Sequence, residues 1–510
     1  MTKKRRKIVS SISIILFIFS ILILIAIAWF KKTFSNVTID ELIFHLKVPL
    51  TGSNTGFIFN YFNYAKDYLI IIILIAIGLF IYQTDTFIHT YQYNIKLNIF
   101  KIKKNICIKI NDDRKHILII NILFFIFSII YALSTLNIQQ YIKNSLNTTT
   151  IFEEHYVDPK KVNIQFPEQK RNLIYIYLES MESSYNNLQV PGTSYTNLIP
   201  NLEKLANENI HFSNSEQLGG AKQVTGTGWT IAALVAHSSG IPLKVSINGN
   251  SLDQYAQFLP GAYTLGDILK KEGYKQYFMI GSNSEFGGRK NFFEQHGNYE
   301  IFDYFTAKAQ KKIAEDYFVW WGYEDEKLYS YAKEKLLEIS KQEEPFNFTM
   351  LTVDTHFLEG YNDETCKLVH DNSFANAVTC ADIKIYNFIN WIKQQDFYKN
   401  TTIVIVGDHL LMGNYLYPTD YIQERYTYNT IINSPITTAN TTNRTFTSLD
   451  MFPTTLASLG AKIEGERLGL GTNLFSDTKT LSEEIGFDKF NYELSLKSDY
   501  YNDYILYGTK

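Results

Sequence analysis

The sequence predicts an α/β protein in two parts. N-terminal transmembrane helices come first, followed by a domain with a central, mostly parallel sheet sandwiched by helices. Three observations carry this expectation. Long apolar runs crowd before about residue 135, whereas the remainder has the composition of an ordinary soluble domain. In that remainder, short β-rich runs alternate with helical stretches, the pattern of a sheet covered on both faces. Several of those runs stop at carboxylates or histidines, and in such sheets ligands sit beyond the C-terminal ends of the strands. The chain has 510 residues, enough for more than one domain. Its net charge of -3 argues against a dedicated nucleic-acid binder, which carries a basic surface.

The membrane part comes first. Lys3-Lys4-Arg5-Arg6-Lys7 precedes an unbroken apolar run from Ile8 to Phe30, long enough to cross a bilayer and longer than a signal-peptide core. Lys31-Lys32 closes it without a small-residue cleavage site, so it reads as a retained anchor. Further runs, Tyr68–Tyr82 and Ile117–Leu133, are almost free of charge. The loop between the second and third runs carries Lys96, Lys101, Lys103, Lys104, Lys109, Arg114 and Lys115. The loop between the first and second has Lys31, Lys32, Lys47 and Lys66, partly offset by Asp40, Glu41 and Asp67. Basic loops stay in the cytoplasm, so three crossings place everything after about residue 135 outside. The expected organisation is a membrane domain over 1–135, with helices at about 8–30, 68–82 and 117–133. A linker over 136–170 and an extracytoplasmic catalytic domain over 171–510 follow.

The linker is polar, with Asn147-Thr148-Thr149-Thr150 and two prolines, and reads as a spacer. Asn172–Leu178 is a β-rich apolar run that stops at Glu179, the look of a buried parallel strand. Pro200–Ala206 opens a short amphipathic helix, and Phe212-Ser213-Asn214 reads as a strand after it. Tyr263–Gly273 reads as a helix and Tyr277–Ile280 as a strand, followed by a polar loop to Arg289-Lys290. Phe346–Val353 reads as a strand running into Asp354-Thr355-His356, and 374–395 as a helix. Thr402–Gly407 is an emphatic strand ending in Asp408-His409, and Asp450-Met451-Phe452-Pro453 starts a late helix. Three cysteines are too few for a disulfide scaffold or a cysteine zinc site. Cys366 and Cys380 could pair in an oxidising compartment or stay free thiols.

The chemistry centres on Gly219–Ala236, a glycine-rich loop that turns into an alanine-rich helix with Thr230 at the join. Unpaired N–H groups and the helix dipole favour negative charge there. A hydroxyl at such a point serves either as a helix cap or, with a cation to hold its alkoxide, as a nucleophile toward a phosphorus ester. Glu179, His356 and the Asp408-His409 pair end three strand-like runs and supply candidate cation ligands. Carboxylates with an imidazole suit manganese or zinc, and oxygen-only sets suit magnesium. An arginine in the loop at Arg289 could grip a phosphate or serve as an ordinary surface charge. Trp320-Trp321 reads as core or lipid-surface packing, or as an acceptor-facing aromatic platform.

These motifs bring a family into view. Asn172–Ser180, Pro200–Ala206, Gly226–Pro242, Asp354–Gly360, Val404–Leu410 and Asp450–Gly460 resemble the alkaline phosphatase and sulfatase superfamily. Within it, Gly226–Ala232 with Ser239–Leu243 is most similar to the membrane-anchored phosphoglycerol transferases that decorate periplasmic glucans (membrane-derived oligosaccharides). Lipoteichoic acid synthase is a more distant relative. The resemblance implies an alkaline phosphatase-like (sulfatase-like) domain in a multi-pass protein of the bacterial inner (cytoplasmic) membrane, facing the periplasm or outside. It implies that Thr230 is the nucleophile, taking phosphoglycerol from phosphatidylglycerol, releasing diacylglycerol, and passing the group to a glycan hydroxyl. Glu179, Thr230, Asp408 and His409 would hold one divalent ion, manganese first, with magnesium or zinc as the other choices. His356 would touch the phosphoglycerol group and help proton transfer, and Arg289 would hold the headgroup. The lipoteichoic branch keeps a tryptophan two positions before that arginine and an acid further upstream; here Gly287 and Ser282 stand there.

Rival readings remain open. A phosphoethanolamine transferase shares the metal and threonine but takes another lipid head. A sulfatase needs a Cys or Ser in a C/S-x-P-x-R pattern, which the Thr230 position lacks. A catalytically dead, membrane-tethered binding domain is the third alternative.

Overall fold

A computed structural model describes residues 3–34, 37, 39–47, 56–84, 90–99, 102–111, 115–188, 196–244, 257–413, 415–417 and 424–509. It divides into two compact units, 1–32 with 55–140, and 33–54 with 141–510.

In the first unit, Ile8–Thr33, Ile58–Leu79 and Ile117–Thr135 are helical stretches long and apolar enough to cross a membrane. The second apolar run is the middle of a helix, Gly56–Thr84, that is longer than the run itself. Ile25, Ala65 and Ile72 pack as its buried centre. Two polar contacts pin the bundle: Trp29 Nε1 donates to Asn60 Oδ1 at 2.7 Å, and Asn121 Nδ2 donates to Ser13 Oγ at 2.8 Å. Among apolar neighbours such bonds fix register, because leaving the groups unpaired costs more than making the bond gains. Most of the basic loop forms an antiparallel hairpin, Thr90–Ile99 paired with Ile102–Asn111. Lys101 and Arg114, counted among its charges, lie outside the described residues.

The second unit is built on a six-stranded sheet: β1 (Asn172–Leu178), β2 (Lys275–Ile280), β3 (Glu300–Phe302), β4 (Phe346–Leu351), β5 (Thr401–Gly407) and β6 (Asn429–Ile432). Their spatial order is β3-β2-β4-β1-β5-β6, with every pair parallel except the antiparallel edge β5–β6. β4 and β5 are buried along their whole length, and β1 from its second residue. Both faces are therefore covered, and the sequence shows continuous apolar runs instead of alternation. Register decides what the sheet presents. Leu178 pairs with Gly407, so Glu179 and Asp408 leave the sheet side by side at its C-terminal edge. Tyr177 and Ile280 both pair with Leu351, so the chain after β4 and the chain after β2 leave at the same edge.

One expectation needs correction. Phe212–Asn214 is not a strand. Its backbone is satisfied otherwise: Phe212 N donates to Asn429 Oδ1, Asn429 Nδ2 donates to Phe212 O, and Ser213 N donates to Thr441 O. Side-chain amides here replace a ladder. The stretch read as a polar spacer also carries structure, with helices Ile138–Leu146 and Ile151–His155 and a short strand, Ile164–Gln165, paired with Lys462–Ile463.

The segment 33–47, between the first two apolar helices in sequence, belongs to this second unit. Its nine-residue helix Ile39–Lys47 buries Glu41, Ile43 and Phe44. The Phe44 ring lies 5.6 Å from that of Trp229, and the Phe34 ring 5.4 Å from that of Phe357.

Candidate active site

The helix Thr230–Ser239 starts at Thr230, with Trp229 as an extended N-cap and Gly240 in the left-handed conformation at the C-cap. Every residue from Ile231 to Ser239 is buried. The helix is thus locked, and only its first residue is partly open. Upstream, Gly226 has φ +80°, a conformation disfavoured with a side chain, and a Cβ there would also meet Pro242 at 2.8 Å. A cap role for Thr230 gains no support: it is the first helical residue, and its hydroxyl contacts two other side chains instead. Its Oγ1 lies 3.4 Å from Glu179 Oε2 and 3.5 Å from His409 Nε2.

Glu179, Asp408 and His409 are fully buried and meet at the C-terminal edge of β1 and β5. One donor atom from each lies within 4.8 Å of the others. His409 Nε2 is 3.5 Å from Glu179 Oε1 and 3.4 Å from Asp408 Oδ2. The backbone after Glu179 is shaped to hold this cluster. Ser180 adopts φ 49°, its N–H donates to Asp408 Oδ1 at 2.8 Å and its hydroxyl to Glu179 Oε1 at 2.9 Å. His409 N also donates to Asp408 Oδ1, at 2.8 Å. Oδ2 of the same carboxylate is buried with no hydrogen-bond partner.

The electrostatics follow from burial of like charges. Burial and the nearby charge of Glu179 raise the Asp408 carboxyl above the usual range. Burial also pushes Glu179 upward, but the charges of His356 and His409 and the Ser180 hydrogen bond outweigh it, so its carboxyl sits low. Burial opposes charging of His409, yet Asp408 and Glu179 win and raise it. Two buried carboxylates this close call for a cation. Donors about 2.1 Å from one tetrahedral ion lie about 3.4 Å apart, which matches the spacings here. The His409 Nδ1 faces the Leu410 carbonyl at 2.9 Å; since a carbonyl only accepts, Nδ1 carries the proton and Nε2 presents its lone pair. Two carboxylates, one imidazole nitrogen and a hydroxyl thus fit a divalent ion.

His356 follows β4 and is half-buried on the same edge, its Nδ1 on the Phe357 carbonyl. Burial lowers its pKa, favouring the neutral ring. Its loop is anchored from behind. Asp325 accepts from Val353 N at 2.8 Å and Asp354 N at 3.0 Å, and Lys384 Nζ reaches Asp354 Oδ2 at 3.1 Å and also Asp363. Cys366 and Cys380 are joined in a disulfide, tying the same loop to the helix Ser373–Lys393. Arg289 opens the helix Arg289–Gln295 and is buried, its Nη2 donating to Asn283 O at 2.8 Å while Nε has no partner. Burial lowers its pKa to about 10, so it stays cationic at neutral pH; Glu179, Asp303 and Asp408 oppose the shift.

The structure therefore brings together Glu179, Thr230, Asp408 and His409, and sets His356 and Arg289 within electrostatic reach of Glu179. Trp321, read from the sequence as packing or an acceptor-facing platform, is buried with its ring 4.4 Å from His356 and 5.7 Å from Phe286, and its Nε1 has no partner. Sequence reasoning missed two features. Glu182 is fully buried and accepts from Arg425 Nε at 2.9 Å, Leu411 N at 2.9 Å and Tyr417 Oη at 3.0 Å. It clamps the loop after His409 to the loop after Glu179. The other is the segment 33–47, whose only signal was a short amphipathic pattern.

A buried acidic–imidazole cluster facing a helix-borne hydroxyl, on the C-terminal edge of a largely parallel sheet, defines a class, and the chain belongs to it: the sulfatase family, whose profile matches residues 171–461. Among individual relatives, phosphoglycerol transferase I of Escherichia coli (strain SMS-3-5 / SECEC) is 37% identical over 272 residues, 52% of this chain and 33% of that protein. The match thus spans a third of the relative's own length. Two solved structures are also similar. The lipoteichoic acid synthase LtaP from Listeria monocytogenes has a TM-score of 0.47 at 20% identity, covering 62% of this chain and 79% of that one. The lipooligosaccharide phosphoethanolamine transferase EptA from Neisseria meningitidis has a TM-score of 0.46 at 12% identity, covering 88% and 86%.

Proposed function

We propose that this chain is a membrane-anchored transferase that moves phosphoglycerol from phosphatidylglycerol to a hydroxyl of an extracytoplasmic glycan. The observation that carries this reading is the placement of Thr230 Oγ1, 3.4 Å from Glu179 and 3.5 Å from His409 at a helix N-terminus. The 37% identity to a phosphoglycerol transferase supports the choice of group. Glu179, Asp408, His409 and Thr230 would hold one divalent ion, manganese first, which when bound lowers the pKa of a coordinated hydroxyl and neutralises charge on phosphorus oxygens.

The residues then divide the work. Thr230 gives up its hydroxyl proton as its Oγ attacks the lipid phosphorus; the Oγ–P bond forms, the P–O bond to diacylglycerol breaks, and the leaving oxygen takes a proton. His356, neutral with its Nδ1 proton on a carbonyl, has Nε2 to accept the Thr230 proton and hand it to that leaving oxygen, and in the second half to take the acceptor's proton and return it to Thr230. The acceptor oxygen displaces Thr230 from the same phosphorus, so one phosphodiester is exchanged for another. Arg289 directs buried positive charge at the headgroup phosphate. Orientation follows the basic residues: a cytoplasmic N-terminus, three crossings, and the catalytic unit in the periplasm or outside.

The test is incubation of the purified full chain with labelled phosphatidylglycerol or phosphatidylethanolamine, followed by mass spectrometry of the Thr230 peptide. Phosphoglycerol on Thr230, absent from Thr230→Ala, is expected. Label from phosphatidylethanolamine alone would reassign the chain to the rival transferase, and transfer by Thr230→Ala would overturn the nucleophile.

A further inference from the structure

Two buried donors flank one phenyl ring beside the reacting groups. The Phe286 ring lies 5.7 Å from that of Trp321, and the Arg289 guanidinium sits 5.4 Å from its centre. Trp321 in turn meets His356 ring to ring at 4.4 Å. Backbone contacts hold the two loops together: Ser282 bridges Gly322, and Tyr323 N donates to Gly281 O at 2.9 Å. The Arg289 loop also rests on the helix that Thr230 begins, since a Cβ on Gly287 would lie 3.7 Å from Ile231 Cγ2. Trp321 is 5% exposed and Arg289 6%, yet Trp321 Nε1 and Arg289 Nε have no hydrogen-bond partner among the described residues. Interiors rarely leave such donors open, because their lost hydration goes uncompensated until an acceptor arrives.

We propose that Trp321 selects the lipid headgroup: its Nε1–H donates to a hydroxyl of the glycerol and so favours phosphoglycerol over phosphoethanolamine. A hydroxyl oxygen accepts from an indole or a guanidinium N–H. An ammonium group has only donors, finds no acceptor on Trp321 or Arg289, and is repelled by the guanidinium. Asp303, whose charge reaches Arg289, is already committed to the N–H and hydroxyl groups of Ser284 and Thr306. The selection therefore works in two ways, by one bond made to the right head and by unpaired donors facing the wrong one. The inference rests on the proposed transfer and deepens it, naming the side chain that decides between the two lipids.

The experiment is calorimetric titration of the purified, detergent-solubilised full chain, with Mn2+ present and melting temperature recorded on each protein. The probes are glycerol phosphate, the two propanediol phosphates that each lack one of its hydroxyls, and ethanolamine phosphate. Wild type should bind glycerol phosphate roughly five-fold more tightly than one of the propanediol phosphates, the order expected for one hydrogen bond, and should bind ethanolamine phosphate more weakly still. Trp321→Phe keeps a ring on His356 and should erase the preference for that hydroxyl while binding the propanediol phosphate as wild type does. Trp321→Gln brings an acceptor and should improve ethanolamine phosphate relative to glycerol phosphate. Trp391→Phe, whose ring stacks on Phe388, should leave every preference unchanged. A folded Trp321→Phe that keeps the hydroxyl preference, or weakens all four probes equally, overturns the proposal, as does a wild type indifferent to both hydroxyls. A wild type that binds no glycerol phosphate and takes no label from phosphatidylglycerol overturns the proposed transfer itself, a distinct result.

Discussion

Glu182→Ala puts the clamp between the two ligand-bearing loops to a quantitative test. The carboxylate is fully buried and accepts from Arg425, Tyr417 and the Leu411 backbone. Alanine removes these contacts, and one from Tyr185, at once and takes away the carboxylate facing a guanidinium whose side chain is 10% exposed. Breaking a buried ion pair from one side costs about 3–5 kcal/mol, far more than an exposed pair contributes. At roughly 2 °C per kcal/mol in a domain of this size, the melting temperature should fall by about 6–10 °C. Replacing both partners, Glu182→Leu with Arg425→Met, leaves no lone buried charge and should recover a large share of that loss. Differential scanning fluorimetry of the solubilised full chain reads both. A fall under about 2 °C for the single variant, or a double variant no better than the single, refutes the reasoning.

Two further outcomes are expected. His237 is buried beside Tyr175, and burial lowers its pKa from 6.5 to about 3. A base held neutral in the fold contributes stability that is fully present above pH 6.5 and lost as pH falls toward 3. Relative to His237→Phe, the wild type should therefore lose about 2 kcal/mol between pH 6.5 and 5, read from denaturant or thermal melts; a constant difference refutes this. Trp321→Phe keeps a ring on His356 and removes an N–H that has no partner in the fold. Melting temperature should hold within about 2 °C while KM for phosphatidylglycerol in the proposed transfer rises several-fold; an unchanged KM makes the indole a packing group alone.

Much of the site was legible because parallel strands buried on both faces announce themselves as apolar runs. Such runs end abruptly where chemistry begins, at Glu179 and at Asp408-His409. Thr230 was legible for a related reason: a glycine loop entering an alanine-rich helix leaves one hydroxyl at the join. What stayed hidden depends on distance along the chain. Glu182 and Arg425 lie 243 residues apart, and neither has a local pattern that names the other. Phe212–Asn214 looked like a strand because its composition fits one, and only the Asn429 amide shows why it is not. Trp321 could be assigned to core or to solvent from sequence, but not to the side of His356. The helix Ile39–Lys47 is too short to be distinguished by periodicity from a loop with a few apolar residues.

The pairing of Leu178 with Gly407 governs where this protein can change length. An inserted residue inside either strand would turn one ligand toward the opposite layer, because neighbouring side chains on a strand alternate in direction. Extra residues at the far margin of the sheet, around Arg171 or Asn400 where the chain enters those strands, displace nothing in the cluster. Natural relatives and engineered tags alike should accumulate their additions there.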